Sequence, residues 1–384
     1  IAMAGTLLAA IYILDLPEVN GLTSMLSHPN VSNYTSFFPD FTDMETLIPL
    51  FILPLAIQWW SVWYPGAEPG GGGYIAQRML SAKDEKNAVG ATLLFNFAHY
   101  ALRPWPWILI ALASLIVFPD LSSLRLAFPE IPEQYLKDDL AYPAMLTLLP
   151  AGMVGLLLGS MAAALMSTIS THLNWGASYV THDIYTRFYA PESSEKQKVL
   201  VTTVILLFLS AFVALYLESA LDTFSILLQI GAGTGLLFIL RWFWWRINAW
   251  SEITAMTVSL IIAFAFEKME IFEAWSTTIK LVSGIGMTTA AWLIVTMLTR
   301  PTDIETLKSF CQKIQPYSFG WKKIWTPESV GRSLGRDIGM MMVGTLLVYS
   351  VLFGTGYLIY GILLAGFIAF FVVVVCGWFL KRAL

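Results

Sequence analysis

Apolar residues arrive in long blocks at about 1 to 15, 45 to 64, 88 to 118, 142 to 183, 197 to 217, 220 to 240, 252 to 267, 274 to 298, 338 to 356 and 359 to 380. A block of about 20 apolar residues, wound as a helix, covers the roughly 30 Å hydrocarbon core of a bilayer. The pattern therefore predicts an all-α polytopic membrane protein, a bundle of about ten transmembrane helices. Composition agrees: 57% of the 384 residues are hydrophobic and 12% charged, half of the roughly 25% charged residues of a soluble domain. The opening segment, IAMAGTLLAAIYIL, has no basic n-region and no small-residue cleavage site. It reads as the tail of a span with about five helices expected before it.

Charge orders these spans. If they alternate in direction, one side carries 17 of the 22 basic residues: Arg78, Lys83, Lys86, Arg187, Lys196, Lys198, Arg241, Arg246, Arg300, Lys308, Lys313, Lys322, Lys323, Arg332, Arg336, Lys381 and Arg382. The positive-inside rule makes that side cytoplasmic, with the carboxy terminus inside an inner (cytoplasmic) membrane. The opposite loops are acidic, with Asp15, Glu18, Asp40, Asp43, Glu130, Glu133, Asp138, Asp139, Glu267, Glu270 and Glu273. There Asn30-Val-Ser32 and Asn33-Tyr-Thr35 match a glycosylation sequon too short to carry weight. The net charge of −4 offers no basic footprint for nucleic acid. Cys311 and Cys376 fall at different depths, which argues against a bridge. Three regions follow: a core over 1–298, an amphipathic cytoplasmic insertion over 299–337, and two peripheral helices over 338–384.

The fourth block, LLPAGMVGLLLGSMAAALMSTISTHLNWGASYVTHDIY, places Ser160, Ala164, Ser167, Thr168, Thr171 and Ser178 on one helical face. Two readings stay open. Small and hydroxyl residues let membrane helices approach closely. A hard cation such as sodium, in turn, takes oxygen ligands, which a membrane interior supplies as hydroxyls and freed carbonyls.

The segment AALMSTISTHLNWGASYVTHDIY resembles the signature helix of the sodium:solute symporter family, with Pro150, Gly155 and Asp183-Ile-Tyr185 in keeping. YIAQRMLSAKDEKNAVGA, over 74–91, is similar to that family's Gln-Arg loop, and the likeness covers most of 1–298. The resemblance implies a leucine-transporter-type core of two inverted five-helix repeats with extra carboxy-terminal helices, this chain starting at the last helix of the first repeat. It also implies a sodium ion on the Ala164 carbonyl and the Ser167 and Thr168 hydroxyls, completed by carbonyls from an upstream broken helix. Ser170 and Thr171 match a hydroxyl pair that some members use for a second sodium. That second cage also calls for an aspartate early in the first helix, where the one acid is Asp15 at the outer end.

Further polar residues mark a candidate solute path. Asn96, His99, Tyr100 and Arg103 share one face ahead of Pro104 and Pro106. They read either as a substrate-facing wall, which the resemblance favours at His99, or as a register in which Arg103 snorkels toward the cytoplasm. Gln58, Trp59, Trp60, Trp63 and Tyr64 precede Pro65, Pro69 and four glycines that forbid a regular helix. Such breaks build transporter sites; an interfacial aromatic belt is the alternative reading. Gln229 stands ahead of Gly231, Gly233 and Gly235 as a further pocket residue. Neither that stretch nor the glycines at 70–73 match a nucleotide loop.

Together these features predict sodium-coupled symport of a small polar organic solute, a sugar somewhat favoured, by alternating access, with sodium, solute and lipid as partners and no protein partner inferred. A transporter-like membrane sensor is the alternative. An enzyme built on His172, His182 or Asp183 is disfavoured, because His182 and Asp183 sit at a helix end where capping accounts for them.

Overall fold

A computed structural model describes residues 2–62, 78–189, 194–215, 220–317, 319–325 and 333–383. Its helices include α1 (Ala2–Leu14), α2 (Met44–Ser61), α3 (Glu85–Asn96), α4 (Pro104–Val117), α5 (Ala151–Tyr179), α6 (Glu195–Ala214), α7 (Ala220–Gly231), α8 (Gly235–Leu240), α9 (Ala249–Lys268), α10 (Thr277–Leu298), α11 (Ile304–Ile314), α12 (Leu334–Ile359) and α13 (Leu363–Ala383), with short helices at Gly21–Ser27, Pro29–Ser32, Ala141–Leu146 and, capped by Asp120, Leu121–Ala127. Among the described residues eight helical runs are long and apolar enough to cross a membrane, and none of those residues forms a named strand. Large apolar side chains stay uncovered on these runs; Phe208 is 71% and Leu364 75% exposed. Such a surface suits lipid and not water.

The ten predicted blocks and the eight runs differ for local reasons. Block 220–240 is split, because Gly231-Ala-Gly-Thr-Gly235 interrupts it between α7 and α8. α1 is a short apolar helix of 13 residues. Four stretches among the described residues are wound as π turns, Ile48–Ile52 and Pro54–Gln58 within α2, Phe97–Leu102 after α3 and Val180–Thr186 after α5. Pro54 and Pro104 stand beside two of them. A proline has no N–H, so a carbonyl one turn back loses its usual donor and the winding adjusts.

Contacts divide the chain into two units, 1–35 with 103–222 and 36–102 with 223–384. In the first, α1 packs on α4 and α5. Ala9, Ala10 and Ile13 of α1 are buried, as are Ile110 and Ala113 of α4. Gly5 lets α1 approach α5 so closely that a Cβ there would sit 3.1 Å from Leu157 Cδ2. Small residues bring membrane helices together in this way. The Asn30 amide donates to the Leu115 carbonyl at 3.1 Å, tying the connecting loop to α4.

In the second unit, α9 and α10 form one hairpin and α12 and α13 another. Asn248 caps α9 through a reciprocal capping box with Ser251. Its amide also reaches Thr299 Oγ1 at 3.0 Å, and the buried Thr296 hydroxyl donates to Ser251 Oγ at 2.6 Å. The second hairpin closes at Gly354, where a Cβ would lie 3.0 Å from Ala369 Cβ. The amphipathic α11 buries Leu307 and Cys311 with Trp321, against Trp245 and Phe310.

Candidate functional site

The hydroxyl-bearing helix α5 starts behind Pro150 and runs 29 residues before a π turn at Val180–Thr186. Its hydroxyls bond down their own helix. Thr168 Oγ1 donates to the Ala164 carbonyl at 2.9 Å, and Thr171 Oγ1 to the Ser167 carbonyl at 2.8 Å. His172 Nδ1 lies 2.9 Å from the Thr168 carbonyl. A carbonyl only accepts, so this contact makes Nδ1 the protonated nitrogen. A hydroxyl that donates inward keeps its lone pairs outward. The Ala164, Ser167, Thr168 and Thr171 face is therefore a row of acceptors, the polarity a cation needs.

Residues 161–170, Ser170 among them, are all exposed, while the helix is gripped on either side of them, by the buried Leu157 and Ser160 and by Ala177 and Thr181. Within the row Ala164, Ser167 and Thr168 are exposed and Thr171 is half-buried, and Leu158, Leu165 and Ile169 occupy the opposite face. Beyond it, α6 is joined to α5 by polar contacts. Thr181 Oγ1 donates to Thr202 Oγ1 at 3.4 Å, and the buried Lys198 reaches Thr186 Oγ1 at 3.3 Å.

Arg103 belongs to the same unit and lies with its guanidinium carbon 4.7 Å from the Trp107 ring centroid. Cation–π contact with a ring one turn along α4 stabilises the guanidinium.

The other predicted solute residues sit in the second unit. Gln58 ends the π turn of α2 half-buried, and Trp59 is 63% exposed with its indole N–H on the Leu55 carbonyl at 2.8 Å. Trp63 and Tyr64 lie outside the described residues. Asn96 donates to the Thr92 carbonyl at 2.8 Å. His99 stacks on Phe95 at 4.8 Å and meets the edge of Tyr100 at 4.8 Å, inside the π turn that packs on α12.

Gln229 ends up in a junction that the amino-acid pattern alone does not reveal. The break between α7 and α8 grips the end of α2: Gly233 N–H donates to the Ser61 carbonyl at 2.9 Å, and Val62 pairs with Ala232. Trp292 of α10 donates its indole N–H to the Gly233 carbonyl at 3.0 Å. Around this knot, Ser61 Oγ, Gln229 Oε1, Thr288 Oγ1 and Thr289 Oγ1 are buried without a hydrogen-bond partner. Ser61 and Thr288 are fully buried. Each orphaned group costs about 1 to 3 kcal/mol unless a water or ligand meets it. The signals that could have found this junction are the hydroxyl pair Thr288-Thr289 inside an apolar block and a glycine triplet in mid-span.

Residues 13–262 match the model of the sodium:solute symporter family. The chain is 28% identical over 268 residues to sodium/myo-inositol cotransporter 2 of Oryctolagus cuniculus, covering 66% of this chain and 38% of that protein. It is 26% identical over 288 residues to the sodium/proline symporter of Haemophilus influenzae, 72% of this chain and 54% of that one. Against the Mus musculus sodium/myo-inositol cotransporter it is 27% identical over 370 residues, 82% and 50%. The chain thus spans about half or less of the length of these curated relatives. The family match takes in α5 and its acceptor row as well as the α7–α8 break, and with nearly two thirds of its residues inside that match this chain belongs to the sodium:solute symporter family.

Proposed function

We propose that this chain is part of a sodium-coupled symporter that carries a small polar organic solute across an inner membrane by alternating access, its carboxy terminus cytoplasmic. The observation that carries this is the acceptor row on α5 within the family-matched residues. Sodium would be held by the Ala164 carbonyl and the Ser167 and Thr168 hydroxyls, with Ser170 and Thr171 next in line for a second ion. The Thr168 hydroxyl oxygen and the Ala164 carbonyl oxygen stand 2.9 Å apart. Two oxygens at that spacing can share one cation with bonds of about 2.4 Å, as in other hard-cation cages. Binding turns the hydroxyl hydrogen away and forgoes a hydrogen bond worth about 1 kcal/mol, which the ion–oxygen contacts offset.

Sodium at this row would order the core and raise the population of the solute-binding state, the ion gradient supplying the work. Gln58, Trp59, Trp63, Tyr64, Asn96, His99, Arg103 and Gln229 are the proposed solute contacts. The relatives' names span myo-inositol, glucose and proline. Aromatic faces beside Gln and His favour the polyol and sugar end of that range.

The test is uptake of labelled inositol, glucose, proline and an organic acid into proteoliposomes holding the natural protein, with and without a sodium gradient. Ser167→Ala together with Thr168→Ala should abolish most sodium-driven uptake. Sodium dependence left unchanged by that pair would refute the ion site, and no gradient-driven uptake of any solute would refute symport.

A further inference from the structure

The break between α7 and α8 has to be held from outside. Gly231-Ala-Gly-Thr-Gly235 has three residues without a Cβ, and such a stretch reaches many backbone conformations at little cost. At membrane depth its freed N–H and carbonyl groups also need partners. Local bonds meet some of them: Ala232 N–H donates to the Gln229 carbonyl and Thr234 N–H to the Gly231 carbonyl, both at 3.1 Å. Gly233, at φ +80°, has both of its groups taken by other helices. Its N–H is on the Ser61 carbonyl of α2 at 2.9 Å, and its carbonyl accepts the Trp292 indole N–H of α10 at 3.0 Å.

Trp292 is fully buried, in an apolar cluster with Leu237, Phe238 and Ala255. Leucine or phenylalanine could line that cluster too; what the indole adds is one donor on a stiff ring. Trp59 and Trp60, by contrast, give their N–H groups to the Leu55 and Ala56 carbonyls of their own helix. The helix that presents Trp292 is itself braced, since Thr296, one turn on, bonds to Ser251 of α9 at 2.6 Å. It also lies so close to the break that a Cβ on Gly233 would sit 2.7 Å from Thr288 Cβ.

We infer that Trp292 is a positioning residue for the solute site: its N–H selects the conformation of the break in which Gly233 also holds the Ser61 end of α2, and so fixes Gln229 relative to Gln58 and Trp59. This rests on the transport reading, in which those three side chains touch the solute. Without the donor, other conformations of the glycine stretch gain population, and apparent solute affinity falls by the fraction of chains left competent. Saturating solute draws the break back, so maximal uptake is retained.

Trp292→Phe keeps an aromatic ring and removes the donor. Uptake of labelled myo-inositol and labelled proline is measured in proteoliposomes of the natural protein and the variant under a sodium gradient. The solute KM should rise about 10-fold, in line with a buried carbonyl left without its partner, while maximal uptake per folded transporter is kept. Leu237→Ala is the packing comparison: it opens a cavity in the same cluster and should lower the unfolding midpoint without that rise in KM. Hydrogen exchange over 229–236 needs no solute and gives the second readout; protection should fall in Trp292→Phe well beyond its fall in Leu237→Ala. If Trp292→Phe does not fold, replacing Trp292 with benzothienylalanine, which has sulfur in place of the N–H, serves for both measurements. An unchanged KM, an equal rise in Leu237→Ala, or unchanged protection of 229–236 would each overturn the inference. Absence of uptake by the natural protein, with protection lost in the variant, would refute the transport reading and still support the hold of Trp292 on the break.

Discussion

Gly233→Ala is expected to be strongly destabilising. Gly233 has φ +80°, a left-handed conformation that L side chains rarely adopt, at a cost of about 1 to 2 kcal/mol. The added Cβ would also sit 2.7 Å from Thr288 Cβ and 2.8 Å from the Ile285 carbonyl oxygen. The second neighbour is backbone inside α10 and cannot rotate away, so overpacking adds about 1 to 3 kcal/mol. Relief by moving Gly233 would stretch its bonds to Ser61 and Trp292, the two that hold α2 and α10 to the helix break. The expected loss is about 2 to 5 kcal/mol. Gly286→Ala on α10 is the control, since nothing lies within 4 Å of its Cβ position, and it should gain about 0.5 to 1 kcal/mol from helix propensity. Thermal unfolding in mild detergent, followed by tryptophan fluorescence, compares the two. Equal midpoints for both variants would show that the break does not have this geometry.

Other expectations concern single groups. If the orphaned Thr288 hydroxyl has no partner, Thr288→Val should be neutral or stabilising in the same unfolding assay; a loss above about 1 kcal/mol would reveal a bridging water or ligand. Burial pushes the Cys311 thiol up from its ordinary value, so its thiolate is scarcer at neutral pH. Iodoacetamide should label it slowly in folded protein and faster as pH rises, and labelling at the rate of a free thiol at pH 7 would contradict its packing under Trp321. The Asp120 carboxyl is held below the usual range, first by the Ser122 hydroxyl and next by the Ser123 N–H. Its capping contribution is full above about pH 4 and lost as pH falls through the lowered value. Protection against hydrogen exchange over Leu121–Ala127, taken relative to the intrinsic exchange rate at each pH, should therefore fall on acidification, and Asp120→Ala should show no such pH step.

The helices, their membrane setting and the face that carries Ser167 and Thr168 are legible in the amino-acid sequence because each depends on local periodicity. An apolar block needs no partner to declare itself, and hydroxyls at spacings of three and four must share a face whatever surrounds them. The backbone detail is less legible. Nothing in LIPLFILPLAIQ announces π turns at Ile48–Ile52 and Pro54–Gln58, because Pro54 says only that a hydrogen bond is lost. Where the freed carbonyl turns depends on packing against α8 and the α7–α8 break.

Gln229 illustrates the same limit at the site. Its sequence setting, a lone amide ahead of three glycines, reads as a pocket lining. The fold adds why its Oε1 is buried: α10 comes so close that a Cβ on Gly284, 55 positions away, would lie 3.3 Å from that oxygen. Ser61 and Thr288 are invisible as a pair for the same reason, since one ends α2 and the other sits in mid-α10. What unites them is Gly233, whose N–H and carbonyl face Ser61 and Trp292 respectively. A glycine chosen for a left-handed turn thus also determines which hydroxyls are sealed from water, and the polar cluster follows from a backbone requirement and not from any motif of its own.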